Sequence, residues 1–221
     1  MARPKNTERK EKIKHTAWNL FRRKGYRGTS YADVAAACGL ERTNVQIYFP
    51  HKKLLLEDLL KQLLDVSAQY AKEAGLLEES FSGNLLVIGQ LYYAFLLQDD
   101  GMCRFTQDLL SSRELTEGMI EDNLSWAAAY YRNFPQNAAE SLMEDITLVM
   151  GGVYELLYRS LDRGNRPTPW AIQSRTIHAF LLLQGMPEEA AVQTLKGHEV
   201  PEEQTIRAVR QMNAKIFSPA T

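Results

Sequence analysis

The sequence has little that could serve catalysis, export or membrane insertion. Cys38 and Cys103 are the entire thiol content of 221 residues. They lie far apart, which gives neither a disulfide framework nor a metal site and suits a reducing compartment, so a cytoplasmic location is expected. Four histidines, His15, His51, His178 and His198, are scattered. There is no His-Glu-x-x-His, no nucleophile elbow and no glycine-rich phosphate loop, so the expectation is a non-enzyme without cofactor or metal. No stretch reaches the roughly 18 uninterrupted apolar residues of a membrane span. The polar, basic start lacks the apolar core of a secretory signal. Sustained two-residue alternation is missing, which leaves strands without support. Internal repeats and low-complexity segments are missing too.

What is present is sorted unevenly along the chain. The net charge of −1 conceals a basic head and an acidic body. Residues 1–53 carry 13 Lys and Arg against 4 Asp and Glu, a net of +9. Residues 54–221 carry 13 against 23, a net of −10. A polyanion such as DNA attracts the first and repels the second. A hydrophobic content of 45% is ordinary for a globular chain. The division expected is a DNA-binding domain over 1–53 and a ligand-binding and dimerisation domain over 54–221.

Helical periodicity runs through the whole chain and predicts an all-α fold of about ten helices, a head with a helical-bundle body. Ile13, Ala17, Leu20 and Phe21 form one apolar stripe of a helix from Thr7 to Lys24, closed by Gly25. Ser30 and Asp33 resemble a capping pair, so the next helix starts near Tyr31. Gly39 suits a left-handed turn, after which a short helix runs to Pro50. A long amphipathic helix extends from His51 to about Ala74. Glu78 to Asn84 reads as a polar break before an apolar helix, Leu85 to Leu97. Further helices are expected over Met102–Ser112, from Glu117 after a Thr116 cap to Phe134, and from Pro135 to Asp162. The last three are Trp170–Met186 behind Thr168-Pro169, Pro187–Lys196 and Pro201–Phe217.

Tyr31 to Pro50 has the spacing of a helix-turn-helix, whose second helix enters the major groove. Ala35 falls where the two helices cross, and Val34, Cys38, Leu40 and Val45 face inward. Arg42, Thr43, Asn44, Gln46 and Ile47 remain outside. Arg pairs with guanine in the groove, and Asn or Gln with adenine. An αα-hairpin inside a bundle is the alternative, against which the coincident basic charge weighs.

Phe21 to Ser30, Asp33 to Leu40 and Tyr48 to Leu55 resemble, in register, the DNA-binding head of the TetR family of transcriptional regulators. The resemblance covers about the first quarter of the chain; beyond it only helical content and length are similar. It implies a homodimer, a roughly palindromic double-stranded operator and a small-molecule effector; most members are repressors released by their ligand. By position it implies phosphate contacts for Thr29, Ser30 and Tyr31. It implies base edges for Arg42, Thr43, Asn44 and Gln46, the DNA backbone for Tyr48, and a phosphate for Lys52. Gln46, Ile47 and Glu41 depart from the family pattern, so no operator sequence carries over. A regulator without a small-molecule effector, controlled by a partner protein or acting as an activator, is the alternative.

Arg3, Lys5, Arg9, Lys10, Lys12 and Lys14 precede or open the first helix and read either as a minor-groove arm or as a solvated terminus. Aromatic and thioether side chains concentrate mid-chain. Tyr92, Tyr93, Met102, Phe105, Trp126, Tyr130, Tyr154 and Tyr158 are the pocket candidates, with Arg104, Glu155 and His178 as orienting groups. Core packing is the competing reading. Dimerisation is expected through helices near 146–161 and 170–183. Ile146, Val149, Val153, Leu156 and Leu157 form a stripe in the first, and Ile177, Phe180, Leu181 and Leu183 a face in the second. Gly151-Gly152 inside the first marks either close approach of another helix or a local kink.

Overall fold

The computed structural model describes residues 7–130 and 140–217, the side chains of Tyr130, Glu140 and Ser141 excepted. Among the described residues the fold is all-α. It contains eleven helices where about ten were expected from periodicity. The head is α1 (Thr7–Lys24), α2 (Tyr31–Cys38) and α3 (Arg42–Tyr48), and α4 (Lys52–Glu73) runs from it into the body. The body continues with α5 (Phe81–Leu96), α6 (Asp100–Leu110), α7 (Arg113–Tyr130) and α8 (Glu140–Asp162). It ends with α9 (Pro169–Leu183), α10 (Glu188–Leu195) and α11 (Glu202–Phe217). No described helix is long and apolar enough to cross a membrane.

Two helix starts differ from the sequence reading by more than two residues, each for a local reason. The polar run before α5 is a cap, not a break. Ser80 Oγ accepts the Gly83 N–H at 3.0 Å, and the Asn84 amide folds back on both backbone groups of Glu78. The helix therefore begins at Phe81 instead of Leu85. Thr116 does not cap α7, which begins at Arg113; its hydroxyl donates to Arg113 O at 2.9 Å inside the first turn. The expected boundary at Phe134 and Pro135 lies outside the described residues.

A single hydrophobic cluster joins head and body, from Ile13 in α1 to Ile216 in α11. Trp18 Nε1 donates to Leu55 O at 3.0 Å, which ties α1 to α4. His15 Nδ1 lies 2.7 Å from Ile216 O; a carbonyl only accepts, so Nδ1 carries the proton. In α4, Leu55, Leu56, Leu59, Leu60 and Leu63 are almost fully buried. Each such side chain contributes about 1.5–3 kcal/mol, so this stripe anchors the helix that leaves the head. The body packs around α5, where Gly89 leaves room for the Gln173 amide of α9. That amide donates to Leu85 O at 2.9 Å.

The helix α6 lies between the head and α8. Arg22 of α1 pairs with Asp99, the N-cap of α6, at 2.5 Å. The Arg27 backbone N–H donates to Asp108 at 2.9 Å. On the other side Gln107 donates to Asp162 at 3.2 Å, at the end of α8. Arg166, just beyond α8, pairs with Asp100.

Candidate nucleic-acid interface

The reading unit is assembled by short-range chemistry. Ser30 Oγ accepts the Asp33 N–H at 3.2 Å and the Asp33 carboxylate accepts the Ser30 N–H at 2.8 Å, a complete capping box. Lys24, which lies 2.5 Å from Asp33, and then Ser30 hold that carboxyl well below the usual carboxylate range. Gly39 ends α2 with φ 66°, where a Cβ would be strained. Glu41 precedes α3 and makes no side-chain cap bond. Val34, Ala35, Cys38 and Val45 are buried between the helices, and Leu40 is half-buried.

On α3, Arg42 and Thr43 are exposed and Asn44, Gln46 and Tyr48 half-exposed. Arg42, Thr43, Asn44 and Gln46 make no side-chain hydrogen bond among the described residues, Tyr48 packs against the core, and Val45 pins the opposite face at 0% exposure. Phe49 is buried, as large aromatics usually are. Ser30 is exposed at the start of α2. Three residues that the resemblance placed on phosphate are held by the protein itself. Thr29 is buried and its hydroxyl donates to Gly25 O at 2.8 Å. Tyr31 donates its hydroxyl to Phe49 O at 2.8 Å, and burial pushes that hydroxyl's pKa up. Lys52 Nζ donates to Tyr26 O at 2.9 Å and Thr29 O at 3.0 Å, and lies over the Tyr26 ring. Burial pulls the Lys52 pKa down and pushes that of Tyr26 up to about 12. Thr29 and Lys52 thus fix the turn between α1 and α2. The signal in the sequence was their position; what it could not carry was which backbone carbonyls they would meet.

In the body, Tyr92, Tyr93 and Tyr154 are buried together, and burial raises the pKa of all three hydroxyls. Asn123 donates to the Tyr154 hydroxyl at 3.1 Å, and the Tyr92 hydroxyl has no hydrogen-bond partner among the described residues. Met102 and Phe105 are core, Phe105 stacked on Phe21 at 5.9 Å. Trp126 donates to Asp65 at 2.8 Å and, like Tyr158, is half-buried. The Tyr130 side chain lies outside the described residues. Arg104 is exposed, Glu155 pairs with Arg159 at 2.6 Å, and His178 with Glu188 at 3.1 Å, so none of the three points to a shared pocket.

An apolar cavity of about 130 Å³ lies between α5, α7, α8 and α9, next to Asn123 and lined by Ile120, Val149 and Ile177 among others. None of the seven described pocket candidates lines it. A groove of about 750 Å³ lies elsewhere, where Arg22 and Asp99 meet Trp170, Arg210 and Asn213. Sequence reading missed this groove because its walls come from α1, α5, α9 and α11.

The expected α8 stripe divides in two. Val149, Val153 and Leu157 are buried in the chain's own core, and Ile146 is half-buried against it. Leu148 and Leu156, 65% and 52% exposed, share the outward face with Gly152. A Cβ on Gly151 or Gly152 would meet nothing within 4 Å, so no described helix of the same subunit approaches there. On α9, Ile177 and Leu181 are buried, Phe180 is half-buried, and Leu182 and Leu183 are exposed.

Comparison with known proteins agrees with this geometry. Residues 13–59 match the family model described as bacterial regulatory proteins, tetR family. Over 58 residues the chain is 38% identical to the uncharacterized HTH-type transcriptional regulator YuxN of Bacillus subtilis (strain 168). It is 34% identical over 58 residues to the HTH-type transcriptional regulator RutR of Escherichia coli (strain K12). Each match covers 26% of this chain and spans only 20% and 27% of those relatives' lengths. A tetR-family transcriptional regulator from Streptomyces coelicolor shares the fold over 95% of this chain and 90% of its own. The TM-score is 0.53 at 18% identity. Residues 13–59 thus match the helix-turn-helix head of the TetR family, and the whole chain shares the fold of a solved member.

Proposed function

We propose that the chain is a homodimeric transcriptional regulator, a repressor that binds a roughly palindromic operator and is released by a small molecule. The observation that carries this reading is the α3 surface, where Arg42, Thr43, Asn44 and Gln46 are presented while Val45 locks the helix to the head. The net +9 of residues 1–53 supports it, since phosphate neutralisation supplies much of DNA affinity. The outward Leu148, Gly152 and Leu156 support pairing through α8 and α9. Two heads so paired read half-sites about 34–36 Å apart.

The effector acts in the body. Ligand pockets run to roughly 300–1,000 Å³. The groove at Arg22 and Asp99, at about 750 Å³, has that size, whereas the apolar cavity at about 130 Å³ must open to admit a ligand. The tight burial of Tyr92, Tyr93 and Tyr154 favours the second reading, a regulator controlled without a small molecule.

Selection of bound fragments from random duplexes tests the DNA role. Palindromic sites whose affinity falls steeply with salt are expected; no salt-sensitive preference for any duplex overturns the reading. A ligand screen for release tests the effector. A true effector and the operator must weaken each other's binding by the same factor.

A further inference from the structure

One large apolar side chain of the described head is left in water. Ile47 is 58% exposed, while every other aliphatic or aromatic side chain of α1 to α3 larger than alanine is buried or half-buried. A single exposed hydrophobe is ordinary on a protein surface, but the place of this one is not. At 3.6 residues per turn Ile47 lies about 200° around α3 from Val45, opposite the helix's only buried contact. It stands one turn beyond Thr43 and beside Gln46, in the middle of the polar face assigned to base edges. That face needs an apolar partner at this point. The major groove offers one apolar group, the C5-methyl of thymine.

We propose that Ile47 is a specificity-determining residue that selects a thymine in each half-site by packing on its C5-methyl. The assignment rests on the DNA-binding reading above and adds the base class that this departure from the family pattern recognises. A cytosine at the same place presents an amino donor and no methyl, and so leaves Ile47 desolvated against a polar edge. The amide and guanidinium groups of Gln46 and Arg42 read neighbouring bases by hydrogen bonds and do not replace this contact.

The experiment uses the full chain and a duplex selected from a random pool. Each thymine of a half-site is replaced in turn by deoxyuridine, which removes the methyl and keeps every hydrogen-bonding edge. Affinities are measured by fluorescence anisotropy for the wild type, Ile47→Ala and Ile47→Val. The wild type loses about fourfold at one thymine per half-site, the worth of one buried methyl group. Ile47→Ala binds both duplexes alike, and Ile47→Val, which keeps a branched apolar surface, retains the preference. Equal uracil sensitivity in wild type and Ile47→Ala, or none at any thymine, overturns the assignment while leaving DNA binding intact. A wild type that retains no duplex overturns the DNA-binding reading and this inference together. Unchanged circular dichroism of Ile47→Ala separates a lost contact from a lost fold.

Discussion

The Asp108 carboxylate of α6 accepts the backbone N–H of Arg27 at 2.9 Å, and so tethers the turn before α2 to the body. Gly25 lies directly beneath the same carboxylate, with φ 79°. Asp108→Ala is expected to cost about 1 kcal/mol in denaturant unfolding, the worth of one such hydrogen bond. It should also weaken operator binding, because α2 loses its fixed start. Unchanged stability and affinity would show that the tether carries no load.

Ser30→Ala removes the side-chain half of the capping box. The expected loss is about 1 kcal/mol of stability, read as a lower Tm with native helicity at low temperature. Ser30→Asp should restore most of it.

Asp33 gives the head an acid sensitivity of defined sign. Its carboxyl is held below the ordinary range by Lys24 and Ser30, so the folded state favours the carboxylate more than the unfolded chain does. That stability is present above the ordinary Asp pKa of about 4 and is lost as pH falls further. The Tm difference between wild type and Asp33→Asn should therefore be largest near neutrality and shrink below pH about 4. A difference independent of pH would assign the effect to shape instead of charge.

Leu148→Glu with Leu156→Glu places two charges on the outward face of α8. If the dimer forms there, sedimentation should show dissociation weakened pairing by about tenfold or more per residue. The isolated chain should keep its helicity, since neither side chain is buried in it. A dimer of unchanged affinity would move the interface elsewhere.

Tyr92 buries a hydroxyl that no described residue satisfies. Tyr92→Phe should stabilise the protein by about 1 kcal/mol, because an unpaired polar group no longer needs desolvation. Burial raises the Tyr92 pKa, so above pH about 10 ionisation favours the unfolded chain and adds to that cost. The variant should resist alkaline unfolding better. A destabilised variant would reveal a partner for the hydroxyl.

The head was legible almost to the residue. The helix Thr7–Lys24, the Ser30–Asp33 cap and the left-handed Gly39 all stand as the periodicity and turn chemistry implied. Such signals act over one or two turns, so a linear reading contains them. Thr29 and Lys52 were less legible. Each is polar and flanks the helix-turn-helix, but each meets a carbonyl of its own chain. The body was legible as helices and much less as surfaces. Val149, Leu156 and Val153 share one apolar pattern, yet only Leu156 faces outward.

Composition, spacing and capping are properties of neighbours along the chain, and they suffice for an all-α fold with a basic helix-turn-helix at one end. Contacts such as His15 with Ile216, or the Gln90 amide with both backbone groups of Val200, join segments far apart in the chain. Their register depends on how whole helices pack, which no local pattern encodes. That packing settles which leucines of α8 meet solvent, where the large groove opens, and that Ile47 stands uncovered on the reading face.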